Sequence, residues 1–167
     1  MWVAWAVARF TVGGSCNRPE TAENFTKELY LGRWHQMFVG KETPFQDMEC
    51  VSTTYADNDG TNIRVDNQSM DPATMDFGNN WQNGPPPAGE PKFFFSAHCS
   101  EWQPGFCQVK PFWFVPYNDY KVIGFDSDTA NGYSIVYGCD TYLGGAYKQD
   151  WNWVLTRQAL VIGTAAW

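Results

Sequence analysis

Leucine and basic residues are what this chain is short of. Only five leucines occur in 167 residues, while Phe, Tyr, Trp, Val and Thr are plentiful. That bias argues against a helical bundle and for strands. Lys and Arg number 11 against 18 Asp and Glu, and no basic run occurs. A net charge of −7 argues against nucleic acid or an anionic membrane surface as partner. No apolar stretch approaches the roughly 20 residues of a membrane-crossing helix, so no transmembrane segment is expected. There are two histidines, His35 and His98, and no spaced set of four ligands for a metal. Asp57, Asp59 and Asp126 read as turn carboxylates and not as a calcium loop.

What is present is turn chemistry between aromatic runs. Fifteen glycines and ten prolines suit an antiparallel all-β protein, and the length suits one domain with a sizeable core. Residues 13–29 read as an irregular lead-in with a helical turn near Thr21 to Lys27. Strands are expected at 34–39, 50–56, 62–68, weakly between 74 and 82, then at 92–98, 120–125, 133–139 and 151–157. Asp57-Asn58-Asp59-Gly60 is a strong turn signal, and the Pro85-Pro86-Pro87 segment cannot join a ladder. The long 40–47 connection reads as a lid-type loop with one apolar tip residue, Phe45. Residues 99–118, with their Phe112-Trp113-Phe114 cluster, read as part strand extension and part elaborated loop. Eight strands with little helix predict a sandwich or an up-and-down barrel.

Two stretches frame the rest. Gly32-Arg33-Trp34 opens the first strand and Trp151 to Arg157 closes the last. In a barrel they can meet at one end, with the Trp34 indole as a plug and the Arg157 guanidinium on its outer face as a cation–π partner.

These motifs resemble the lipocalin family over about residues 16–158. Gly32-Arg33-Trp34 is similar to the first family motif and Arg157 to the third. Phe125-Asp126 resembles the second, with Phe in place of the usual Thr. Tyr30-Leu31-Gly32-Arg33-Trp34, Ile135 to Cys139 and Asp150-Trp151 resemble the apolipoprotein D, bacterial lipocalin and crustacyanin branch. The resemblance implies an eight-stranded antiparallel up-and-down barrel, open at one end, with a C-terminal helix. Only ten residues follow Arg157, so a very short helix or tail is expected. The domain division is an N-terminal arm or signal remnant at 1–15 and a single domain at 16–167. The apolar segment 1–8 fits a signal remnant, a packed arm or added sequence, and Gly13-Gly14-Ser15-Cys16 is a poor lipoprotein-anchor match.

Five cysteines leave at least one unpaired within the chain. The resemblance implies a Cys16–Cys139 bridge between the N-terminal arm and the barrel. Cys99 and Cys107, separated by seven residues, can close the long loop between the strands at 92–98 and 120–125, leaving Cys50 free. Disulfides point outside the reducing cytosol, to a secreted protein or one in another oxidising compartment.

Strand alternation then assigns an interior. If Trp34 points inward, so do Gln36, Phe38 and Gly40. By the same phase the interior receives Val51, Thr53 and Tyr55; Ile63, Val65 and Asn67; Phe93, Phe95 and Ala97; Tyr120 and Val122; Ser134 and Val136; Trp151, Trp153 and Leu155. An inward Asn67 conflicts with its sequon, Asn67-Gln68-Ser69; either that sequon is silent or the register is off by one. A second sequon stands at Asn24-Phe25-Thr26. The lining is aromatic with a few hydroxyls and amides, which suits an elongated apolar ligand with one polar end. The alternative is that the aromatics fill the barrel.

The resemblance implies a non-enzymatic carrier with no obligatory cofactor, taking a carotenoid, fatty acid, sterol or retinoid. An enzyme acting on a lipid or carotenoid is the second class; adjacent His98 and Cys99 face opposite ways on a strand, so they make a poor nucleophile pair. An accessory subunit is the third, with Phe112-Trp113-Phe114, Trp2 and Trp5 as apolar patches for a homo- or hetero-oligomer.

Overall fold

In a computed structural model the described residues are 11–39, 49–70, 77–78, 95–110 and 116–159. Phe45, Phe93, the Phe112-Trp113-Phe114 cluster, Trp2, Trp5, the proline segment, the 40–47 loop and the tail beyond Ala159 lie outside them.

In chain order the elements are β1 (Thr11–Val12), α1 (Lys27–Tyr30), β2 (Gly32–Val39), β3 (Glu49–Asp57), β4 (Asn62–Met70), β5 (Phe77–Gly78), β6 (Phe95–Cys99), β7 (Phe106–Lys110), β8 (Asn118–Phe125), β9 (Tyr133–Tyr142) and β10 (Tyr147–Thr156). The strands pair antiparallel in the order β10-β2-β3-β4-β6-β7-β8-β9, and β9 pairs back to β10. These eight form a closed up-and-down barrel, so their ladder has no free edge. β1 and β5 are two-residue additions, to β10 and β4.

The strand count agrees with the sequence, but one strand is a different one. The weak strand expected at 74–82 contributes only Phe77–Gly78 among the described residues. The eighth barrel strand is β7, inside the segment read as extension and loop. Its signal is hidden because β6 and β7 share one tight connection, in which Gly105 takes φ +74° and Ser100 Oγ accepts from the Trp102 and Gln103 amides. The expected helical turn lies slightly later, as α1, with Thr26 as N-cap.

Both expected disulfides are present, Cys16–Cys139 and Cys99–Cys107, and Cys50 is free. The first ties the N-terminal arm to the outer face of β9. The second joins residues directly opposite on β6 and β7.

One end of the barrel is sealed by the lead-in. Ala22 N donates to Val122 O at 2.8 Å and Asn24 Nδ2 to Phe125 O at 3.0 Å, while Phe25 is buried. The connections 58–61, 100–105 and 126–132 all lie at this end, as the strand directions require. The 143–146 turn lies at the other, open end.

Candidate functional site

At the closed end Trp34 has no exposed surface. Its indole Nε1 donates to Tyr30 O at 2.8 Å. The Arg157 guanidinium carbon sits 3.7 Å from the centre of the indole ring. That guanidinium also donates to Leu29 O at 2.7 Å and to Arg33 O at 3.2 Å. One charged group therefore pins α1 and the start of β2 while covering the plug. Gly32 makes room for it: φ is +104°, and a Cβ would stand 3.0 Å from Arg157 Nη1. A side chain there would be both strained and in the way.

Asp126 belongs to the same end. Its Oδ1 accepts from Asp128 N at 3.0 Å, and its own amide donates to Tyr133 O at 2.9 Å. The loop so shaped presents Gly132 O to Arg157 N at 2.9 Å. A Cβ at Gly132 would collide with the Asp126 and Asp128 carbonyl oxygens.

Above the plug lies a ring of hydroxyls. Tyr120 Oη is 2.7 Å from both Tyr30 Oη and Tyr55 Oη, and Tyr30 Oη is 3.2 Å from Ser134 Oγ. Burial pushes the pKa of all three phenols upward, well upward for Tyr55 and Tyr120. They are neutral hydrogen-bonding groups, not bases. Tyr120 also stacks on Trp153, with ring centroids 6.3 Å apart.

The register fixes which other side chains share this interior. Thr53 lies opposite Asn67, and Tyr55 opposite Val65. Thr53 Oγ1 donates to Asn67 Oδ1 at 2.7 Å. Val65 lies opposite Phe95, Val122 opposite Val136, and Trp153 opposite Val136. Val65, Val122, Val136 and Trp151 are buried. The strand register behind the inward Asn67 holds, with Asn67 opposite Thr53.

Phe38 is a correction. Leu155 pairs with Gln36, but Val154 pairs with Phe38, so Met37 is an extra residue in β2. Such a bulge reverses the phase beyond it. Phe38 therefore shares the outer face with Val154 and is 56% exposed, while Val39, opposite Trp153, takes the inward position. No alternation rule applied to β2 alone reveals that bulge.

Towards the open end the interior becomes more polar. Inward on β9, beyond Gly138, comes Asp140, which lies opposite the buried Gln149. Burial, then the carboxylate of Asp119, push the Asp140 pKa up. Trp151 lies opposite Gly138, whose added Cβ would sit 3.1 Å from the indole edge. Tyr30, Asp140 and Gln149 were not singled out as interior residues from sequence. Tyr30 precedes the first strand, where alternation says nothing. Asp140 and Gln149 continue the phase of Val136 and Trp151, and would have followed had β9 and β10 been drawn at full length.

Among known proteins the chain is similar to apolipoprotein D. It is 27% identical over 144 residues to that of Macaca fascicularis, covering 86% of this chain and 67% of the relative. It is 29% identical over 147 residues to that of Mus musculus, with the same coverage. Apolipoprotein D is a lipocalin, and the chain is similar to it in sequence and has the closed eight-stranded barrel of that fold. No protein-family model matches the chain. Its fold is shared by insecticyanin from the tobacco hornworm Manduca sexta (TM-score 0.66, 16% identity, 92% of this chain and 74% of that one). It is shared also by lobster apocrustacyanin A1 (TM-score 0.60, 17% identity, 94% and 79%). At those identities the likeness concerns fold alone. The Arg157–Trp34 stack is the physical link between the Gly32-Arg33-Trp34 stretch and Arg157.

Proposed function

We propose that this protein binds a small hydrophobic ligand inside the barrel, as a secreted carrier and not as an enzyme. The observation that carries the reading is the division of the interior. A fully hydrogen-bonded aromatic floor closes one end, and an inward lining of Phe95, Tyr55, Tyr120, Val122, Val136, Trp151 and Trp153 rises from it. A closed floor under an apolar wall suits an elongated guest inserted from the open end. Val65, Thr53 and Asn67 belong to the same wall, and Phe45 and Phe93 complete the proposed set. The non-enzymatic reading is supported by the state of the interior acids: its phenols are held neutral, and His98 points away from the interior, opposite Asn62 and Gln108. Two disulfides fit an oxidising compartment and hence a secreted carrier.

Within this reading the guest is a carotenoid, fatty acid, sterol or retinoid; the carotenoid is favoured by the aromatic wall. Native mass spectrometry of the protein from its source, with solvent extraction and an absorption spectrum, is the test. A bound mass of an apolar molecule is expected, with a visible band if it is a carotenoid. A protein that carries nothing and takes up none of these four classes when they are added overturns the proposal.

A further inference from the structure

Trp151 carries one polar atom, the indole Nε1–H. The residue is 5% exposed, and that N–H meets no acceptor among the described residues. The contrast with Trp34 is direct, because the Trp34 N–H is satisfied at 2.8 Å. A buried donor without a partner is costly, and buried polar groups in folded proteins are rarely left that way. Trp151 points into the barrel, since it lies opposite Gly138 and in phase with Leu155, which lies opposite the buried Ser134. The orphan donor is therefore an interior one, one layer closer to the open end than the Trp153–Tyr120 stack.

Its neighbourhood restricts what can accept from it. Asp140 is the next inward residue on β9 beyond Gly138, diagonal to Trp151, and Asp119 is close enough to act on its charge. Burial and Asp119 already disfavour the negative form of Asp140. A further anion in this layer would add like-charge repulsion in a partly desolvated place. The net charge of −7 also disfavours drawing an anion toward the protein. The acceptor that fits is a neutral oxygen.

We propose that Trp151 Nε1–H is the polar anchor for the guest, and that it selects ligands with a neutral acceptor (a ketone, aldehyde, ester or hydroxyl oxygen) over carboxylates. This rests on the carrier reading given above and narrows it. The tyrosine floor is already internally paired and takes the apolar part; the polar end lies in the Trp151 layer.

Three probes of equal chain length test it: dodecan-2-one, dodecanoate and dodecane, each titrated by tryptophan fluorescence and calorimetry near neutral pH. Dodecan-2-one is expected to bind about tenfold more tightly than dodecane, the scale of one buried donor satisfied. Trp151→Phe removes the N–H and keeps an aromatic ring; it should erase that difference while leaving dodecane within about twofold. Dodecanoate should bind more weakly than the ketone, and Asp140→Asn should narrow that gap. In protein labelled with ¹⁵N-tryptophan, the Trp151 indole proton should shift downfield with the ketone and not with dodecane, a readout that needs no variant. Equal losses for ketone and dodecane in Trp151→Phe, an indole resonance indifferent to the ketone, or a preference for dodecanoate would each overturn the anchor while leaving a binding barrel in place. Failure of all three probes to bind the unaltered protein would overturn the carrier reading and the anchor with it.

Discussion

The two ends of the barrel are built on opposite terms. At the closed end every large side chain is tied to something: Trp34 lies between Tyr30, with centroids 5.2 Å apart, and the Arg157 guanidinium at 3.7 Å, and Tyr120 is hydrogen-bonded to two phenols. In the layers toward the open end a buried indole N–H has no acceptor among the described residues and a half-buried carboxyl is pushed toward its neutral form. At the rim Leu143 is 82% exposed with φ +51°. Each end holds one buried donor without an acceptor among the described residues, Arg157 Nε at the floor and Trp151 Nε1 above it. The Arg157 guanidinium, however, is held by two other hydrogen bonds and the Trp34 ring, whereas Nε1 is the sole donor of the Trp151 side chain. This is how a binding barrel must divide its resources, because a guest can only gain from groups the fold has left unsatisfied.

The comparison breaks most visibly at the plug. Trp34→Ala removes a fully buried indole that no neighbouring chain can replace, and should cost about 3–5 kcal/mol. Thermal unfolding should fall by roughly 10 °C, at the lower end of the 2–4 °C per kcal/mol expected for this size. Arg157→Leu comes next. It removes the cation–π contact and leaves the Leu29 and Arg33 carbonyls without their donor, for about 2–4 kcal/mol. Arg157→Lys should recover only part, because an ammonium cannot lie flat on the indole and reach both carbonyls. A loss below about 0.5 kcal/mol in Arg157→Leu, by denaturant unfolding, would mean that the stack is decorative.

The hydroxyl ring gives a smaller effect with its own pH signature. Tyr120→Phe keeps the ring stacked near Trp153 but deprives Tyr30 and Tyr55 of their shared partner, at about 1–2 kcal/mol. The pH dependence has a definite sign. Tyr137, hydrogen-bonded to Asp150 at 2.6 Å, is pushed up to about 12, chiefly by burial. A folded pKa above the ordinary value near 10 stabilises fully below pH 10, and that contribution is lost as pH rises from about 10 to 12. Tyr30, Tyr55 and Tyr120 shift the same way. Phenolate absorbance should therefore show Tyr30, Tyr55, Tyr120 and Tyr137 ionising only as the protein unfolds in alkali. Tyr30, Tyr55 and Tyr120 titrating near pH 10 without unfolding would contradict their burial.

The sequence already carried the closed end. Gly32, Trp34 and Arg157 could be paired from their places at the start of the first strand and the end of the last, and the structure stacks them. Cys16 and Cys139 followed from the resemblance, and Cys99 and Cys107 from their separation. What failed did so for local reasons. A two-residue period cannot foresee the extra residue Met37, so Phe38 was placed on the wrong face. A five-residue strand between a disulfide loop and a proline does not announce itself, so β7 falls in a segment that reads as part strand extension and part loop. Tyr30 lies before the first strand, and its role depends on phenols 25 and 90 residues away, a relation that only the closed barrel creates.

The smallest expected effect is at the rim, and it sharpens the contrast most cleanly. Leu143 is the most exposed aliphatic side chain of the β9–β10 turn and adopts a left-handed backbone conformation, which a leucine adopts only at a cost. Leu143→Asn removes apolar surface that no described residue covers and supplies a residue that tolerates that conformation. It should leave stability unchanged or raise it by up to about 0.5 kcal/mol, against a loss of several for Trp34→Ala at the other end. If Leu143→Asn instead lowered thermal stability by more than a few degrees, the rim would be part of the packed structure, and the division between a rigid floor and an unspent mouth would be false. With stability held, the same variant titrated with dodecane reads whether the rim touches the guest: an affinity within about twofold of the unaltered protein places the guest wholly below it, among Trp151, Trp153 and Tyr120.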